Sequence, residues 1–221
     1  MIKLAPSILA SNMMHLEDEI KVFEKMKIPY IHIDIMDGLF VPNFSFGTAA
    51  IKNMRKMTDM VLDVHLMVYD PIKNIKLFCQ CGADIVSFHF EATNKPDKAI
   101  DYIKKYGKKA CITINPSTME RAVFPYLDRV DQVLVMGVVP GFGGQGLLPH
   151  TLDKVRNLRK YIDANGYNVD IEIDGGILPE NLEQVIDAGA NVIVGGSSIY
   201  KDYKLEENIE TLYKIIRKYN K

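Results

Sequence analysis

Tyr30-Ile31-His32-Ile33-Asp34-Ile35-Met36 alternates strictly: the isoleucines fall on one side, and His32, Asp34 and Met36 on the other. Successive side chains of a strand point to opposite faces, so this is a strand with an apolar face and a polar, metal-capable face. An apolar face suits packing against helices, and the other would look into an enclosed interior. The same texture returns downstream. In Asp63-Val64-His65-Leu66-Met67 the residues Asp63, His65 and Met67 share a face. In Asp170-Ile171-Glu172-Ile173-Asp174 the acidic residues do, and Asp174 closes the run. Met136 ends Leu134-Val135-Met136 in the same way.

Working outward, eight such runs are expected as strands, at 3–9, 30–36, 61–68, 85–90, 109–115, 132–136, 170–174 and 191–194. Between them, apolar residues recur at helical spacing. Leu16, Ile20 and Phe23 form one stripe, Leu148, Leu152, Val155, Leu158 and Ile162 another, and Leu205, Ile209, Leu212, Ile216 and Tyr219 a third. Shorter helices are expected at 47–57, 71–81, 96–106, 119–127 and 179–188, three of them opening near Pro71, Pro96 and Pro179, where proline is tolerated. Strict strand–helix alternation predicts a parallel sheet, and eight units in 221 residues suggest a (β/α)₈ barrel, with an open doubly wound sheet as the rival. No linker-like stretch interrupts the pattern, so residues 1–221 are expected to form one domain.

Composition narrows the function. Apolar residues make up 48% and charged residues 25%, ordinary for a globular chain. With 27 basic against 28 acidic residues the net charge is −1, and the basic residues are scattered. That argues against a general nucleic-acid partner or an anionic membrane. No apolar run reaches the ~18 residues that suggest a spanning helix, and the N-terminal run is too short for a signal peptide. Cys79, Cys81 and Cys111 do not read as a disulfide framework, which fits a reducing, cytoplasmic location.

In either architecture a ligand sits at the C-terminal strand ends. His32, Asp34, His65 and Asp174 all fall there on inward faces. Two imidazoles and two carboxylates suit one divalent ion, Zn²⁺, Fe²⁺, Mn²⁺ or Co²⁺. The alternative for each is a buried, hydrogen-bonded polar group. Glycine-rich segments follow three consecutive strands: Pro140-Gly141-Phe142-Gly143-Gly144-Gln145-Gly146, Asp174-Gly175-Gly176 and Gly195-Gly196-Ser197-Ser198. Loops of this kind let backbone N–H groups approach a phosphate without lysine or arginine. Met36, Met67 and Met136 would line the pocket floor with sulfur, or else fill core. His15 and His150 read as surface residues. His89, near the end of the fourth strand, reads as a residue behind the ligands.

These stretches, with Leu4-Ala5-Pro6-Ser7-Ile8-Leu9, Phe40-Val41-Pro42-Asn43 and Phe88-His89-Phe90-Glu91-Ala92, closely resemble the ribulose-phosphate 3-epimerase family along nearly the whole chain. The resemblance implies a TIM barrel of the ribulose-phosphate-binding type that interconverts D-ribulose 5-phosphate and D-xylulose 5-phosphate. It implies one divalent metal on His32, Asp34, His65 and Asp174. It implies substrate contacts from Ser7, His65, Gly141, Phe142, Gly143, Gly144, Asp174, Gly175, Gly176, Gly196 and Ser197. The partner is then a small sugar phosphate, and a homo-oligomer is compatible with the sequence.

Inverting C3 of a ketose takes proton removal on one face and delivery on the other. Asp34 as base and Asp174 as acid, from opposite parts of the barrel wall, fill these roles in one direction and exchange them in the other, with the metal stabilising the enediolate. Leu39, Val139 and Gly146-Leu147-Leu148 depart from the family pattern, which bears on substrate choice. The sister reaction, 3-epimerisation of D-allulose 6-phosphate, is the alternative, followed by a non-catalytic sugar-phosphate sensor. Aldol and decarboxylation relatives commonly carry a lysine in the third-strand motif, and none stands in 63–67.

Overall fold

The computed structural model describes residues 1–220. Eight strands alternate with helices: β1 (Lys3–Pro6), β2 (Tyr30–Met36), β3 (Val61–Met67), β4 (Ile85–His89), β5 (Lys109–Ile114), β6 (Gln132–Met136), β7 (Asp170–Asp174) and β8 (Val192–Gly195). All neighbouring pairs are parallel, in the order β1-β8-β7-β6-β5-β4-β3-β2. The last seam, between β1 and β2, carries one parallel bridge from Ser7 to His32. The sheet therefore curls into a (β/α)₈ barrel, and the doubly wound alternative falls away.

The helices are α1 (Leu16–Lys25), α2 (Thr48–Met57), α3 (Pro71–Cys81), α4 (Pro96–Lys105), α5 (Thr151–Asn165), α6 (Pro179–Asp187), α7 (Ser197–Tyr200) and α8 (Leu205–Ile216). Each longer helix forms where a stripe of apolar residues can bury against the barrel. In α1, Ile20 and Phe23 face inward, while Glu17, Asp18 and Glu19 in the first turn suit its positive end. In α5 and α8 the buried positions include Leu152, Val155, Leu158 and Ile162, and Ile209, Leu212 and Ile216. The layer between sheet and helices is built from the outward strand residues, among them Ile31, Ile33, Val64, Val133 and Ile171.

Two segments differ from expectation. The helix expected over 119–127 is two short 3₁₀ turns, Glu120–Ala122 and Phe124–Tyr126. Pro125 has no N–H to donate and disfavours helical geometry at the residue before it. The first strand stops at Pro6, because the chain turns at Ile8–Ala10 with Ser7 Oγ accepting the Leu9 N–H. The other strands agree to within one residue at each end.

The barrel interior is layered. Ala5, Tyr30, Ile85, Cys111, Leu134, Val192 and Val194 make an apolar cluster with Met136. Beside it lie polar side chains, with His32, Asp63, Ser87, Thr113, Gln132 and Glu172 all buried. Branched aliphatic residues usually dominate such an interior. Here a polar layer supports the C-terminal mouth.

Candidate active site

The mouth of the barrel opens as a cleft enclosing about 680 Å³, open space included. Its walls include Asp34, Met36, Met67, Met136 and Asp174 from the strand ends, and Ser7, Gly175, Gly176, Gly196 and Ser197 from the turns. Gly141, Phe142, Gly143 and Gly144 cover one side. Every substrate-contact position expected from the sequence therefore lies on this cleft except His65, which is wholly buried behind Asp34. His32 is equally buried.

The register explains why these side chains meet. His32 pairs with Asp63, Asp34 with His65 and Met36 with Met67 along β2 and β3, while Met136 pairs with Asp174. Donor atoms of His32, Asp34, His65 and Asp174 all lie within 4.8 Å of one another, a cluster that could hold a metal ion. β2 and β7 are separated by β1 and β8. Asp34 and Asp174 thus converge on one cluster from well-separated parts of the barrel wall.

The polar contacts are close. His32 Nδ1 lies 3.1 Å from Asp63 Oδ2 and 3.2 Å from Glu172 Oε1. Its Nε2 is 3.3 Å from Asp34 Oδ1 without hydrogen-bond geometry and is otherwise unpartnered. A buried nitrogen with no partner, facing three further ligand-type groups, is what an ion site leaves when its donors are in place. Those residues fit a divalent cation. Ser7 Oγ donates to Asp34 Oδ2 at 2.7 Å, and His65 Nδ1 lies 3.0 Å from Asp34 Oδ1.

Burial and charge split the ionisation of the two aspartates. Burial opposes a charge on Asp34, but His32 and His65 outweigh it and hold its carboxyl well below the usual range. Burial, reinforced by the charge of Asp34, pushes Asp174 up to about 7. His65 is lowered to about 4 chiefly by burial. Burial also works against a charge on His32, yet Asp34, Glu172 and Asp63 carry it well above its ordinary value. Glu172 is pushed up by burial and by Asp63.

A sequence profile described as the ribulose-phosphate 3 epimerase family matches residues 3–200. The chain belongs to the ribulose-phosphate 3-epimerase family. It is 43% identical over 201 residues to the ribulose-phosphate 3-epimerase of Bacillus subtilis, covering 90% of this chain and 93% of that one. It is 39% identical over 219 residues to that of Methanocaldococcus jannaschii, covering 98% and 90%. Among solved structures it superposes on orotidine 5'-phosphate decarboxylase from Pyrococcus horikoshii with a TM-score of 0.71 at 16% identity, covering 97% and 99%, a likeness of fold. As a family member it is a carbohydrate epimerase of the isomerase class.

Two features of this epimerase were not assigned from sequence. Asp63 and Glu172 were visible as inward residues, but the Asp63 contact with His32 depends on the β2–β3 register and the Glu172 contact on β7 reaching β2 across the barrel interior. The bond from Asn43 Nδ2 to Gly141 O, 2.8 Å, joins the loop after β2 to the glycine loop after β6. Within that loop Gln145 Nε2 donates to Val139 O and Phe142 O, both at 2.8 Å, so the loop is braced on itself. Among the described residues no helix is long and apolar enough to cross a membrane.

Proposed function

We propose that this single-domain chain catalyses the interconversion of D-ribulose 5-phosphate and D-xylulose 5-phosphate by two-sided proton transfer at C3. The observation that carries the reading is the pair Asp34 and Asp174: both line one cleft, one held ionised and the other pushed toward the protonated form. Asp34 accepts the C3 proton on one face, and Asp174 delivers a proton on the other; in the reverse direction they exchange roles. The Ser7 hydroxyl holds the Asp34 carboxylate in place. Met36, Met67 and Met136 exclude water from the floor, which strengthens electrostatic interactions in the site.

His32, Asp34, His65 and Asp174 would hold one divalent metal, of the Zn²⁺, Fe²⁺, Mn²⁺ or Co²⁺ type, whose chemistry is to stabilise the negative charge of the enediolate. Gly176, Gly196 and Ser197 form a phosphate end of the cleft that anchors the substrate and orients C3. Cys79, Cys81 and Cys111, free and buried, fit a reducing compartment such as the cytoplasm.

Leu39 and Val139, two of the departures from the family pattern, are exposed, and neither they nor the third, Gly146-Leu147-Leu148, line the cleft. This supports the five-carbon substrate over D-allulose 6-phosphate. Both aspartates are in place, which favours an enzyme over a sensor. The deciding experiment is proton NMR of metal-loaded protein with D-ribulose 5-phosphate in D₂O. Xylulose 5-phosphate carrying deuterium at C3 is expected. Turnover of D-allulose 6-phosphate alone would reassign the substrate, and no exchange on either would overturn the enzymatic reading.

A further inference from the structure

Behind Asp34, a line of side chains runs toward the surface. His65 Nδ1 lies 3.0 Å from Asp34 Oδ1, His65 Nε2 lies 2.9 Å from His89 Nε2, and His89 Nδ1 lies 3.3 Å from Glu91 Oε2. Both imidazoles are wholly buried. Their rings stack at 5.0 Å, and Phe40 packs on His89 at 4.7 Å. The proton transfer proposed above uses neither His89 nor Glu91.

The direction of each hydrogen bond follows from the outer end. Glu91 Oε1 accepts the Asn115 N–H at 2.8 Å and the Thr118 hydroxyl. Against the cost of burial, His89, Thr118 and Asn115 hold the Glu91 carboxyl below its ordinary range. An ionised carboxylate only accepts, so His89 Nδ1 carries the hydrogen. A neutral imidazole has one N–H, which leaves His89 Nε2 bare. Two bare nitrogens at 2.9 Å would repel, so His65 Nε2 is the donor. That leaves His65 Nδ1 bare and aimed at the Asp34 carboxylate, an arrangement that a cation between them would satisfy.

We propose that Glu91 and His89 are positioning residues that hold His65 in its Nε2–H tautomer and so present Nδ1 as a metal ligand. This rests on the metal reading under the proposed function. His32 is oriented the other way: its Nδ1 faces Asp63 and Glu172, and its Nε2 faces Asp34. The two histidines therefore offer opposite ring nitrogens to one ion. Hydrogen-bonded partners of metal-bound histidines fix tautomer and orientation in this way, and losing one typically costs 10–100-fold in metal affinity.

The test uses zinc-loaded full-length protein. Zinc affinity is measured by chelator competition, and the histidine rings are read by long-range ¹H–¹⁵N correlation. Wild type is expected to show His65 with hydrogen on Nε2 and zinc on Nδ1. In Glu91→Gln the amide oxygen must still serve Asn115 and Thr118, so its NH₂ faces His89 and reverses the chain. Zinc affinity should then fall by roughly 10–100-fold. His89→Phe keeps the volume and loses the acceptor, with a similar fall. His89→Gln, whose amide oxygen can accept from His65, should recover most of the affinity. Variants that melt earlier but keep wild-type zinc affinity and the wild-type His65 spectrum would overturn the proposal, as would zinc on His65 Nε2 in wild type. Wild type that takes up no zinc would instead remove the metal reading, and this inference with it.

Discussion

Asn43 and Gly141, on loops that follow different strands, are joined by one hydrogen bond from the Asn43 amide to the Gly141 carbonyl, 2.8 Å long. It is a side-chain tie between the rim of β2 and the glycine loop over the cleft. Asn43→Ala should loosen that loop. A neutral hydrogen bond is worth about 1 kcal/mol, so KM should rise roughly 2- to 10-fold with a smaller change in kcat. Amide exchange across 140–145, with and without substrate analogue, checks it. Unchanged exchange would show that Gln145 alone braces the loop.

Asp34→Asn and Asp174→Asn should each lower epimerisation on the order of 10²–10⁴-fold, the usual worth of one acid–base group. The informative reading is C3 hydrogen exchange in D₂O. A variant that keeps one working carboxylate should still exchange hydrogen from one epimer while failing to invert it. Near wild-type inversion by either metal-loaded variant would sink the two-base scheme.

If the cluster takes up a metal as proposed, the raised pKa of Asp174 should make that uptake pH-dependent. Below about 7 its carboxyl holds a proton that competes with a cation, so apparent metal affinity should fall as pH drops through that value. Titration calorimetry in buffers of different ionisation enthalpy should register proton release at pH 6. The ion-free fold carries a related signature. Asp174 releases its proton near 3.8 when unfolded and near 7 when folded, so stability should decline as pH rises between those values. Denaturant melts across that range check the direction, and Asp174→Asn should flatten it.

Gly176 has φ +72°, and a Cβ there would collide with the backbone of Leu147. Gly176→Ala should cost more than about 1 kcal/mol of stability and raise KM by displacing the loop it touches. Gly143, with no atom within 4 Å of an added Cβ, is the control, and Gly143→Ala should melt near wild type. Thermal melts of the pair separate local strain from a general intolerance of the loop.

The barrel and most of the cleft were legible because both rest on short-range pattern. Alternation in β2, β3 and β7 shows which side chains turn inward, and parallel topology puts strand ends together. That suffices to bring His32, Asp34, His65 and Asp174 into one cluster. What stayed hidden depends on three-dimensional proximity between unrelated segments. Glu91 meets His89 because the chain turns at Phe90–Ala92 just past β4, and its other oxygen reaches Asn115 and Thr118. The 119–127 segment was misread because its apolar spacing resembles a helix, while Pro125 removes a needed donor. Ser7 was expected to touch substrate. It does line the cleft, and its hydroxyl also donates to Asp34.

The pairing of His32 with Asp63 and of Asp34 with His65 has a consequence for how such a site can change over generations. A one-residue insertion early in β2 would turn Ile33 and Ile35 into the interior and send His32 and Asp34 toward the helices, destroying the site and the core together. Substitution can explore the rim loops one position at a time, but His32 and Asp34 have no viable neighbour one step along the strand. The chemistry is inherited as an alignment between strands, and a lineage can lose it in one frame-preserving slip but cannot relocate it gradually.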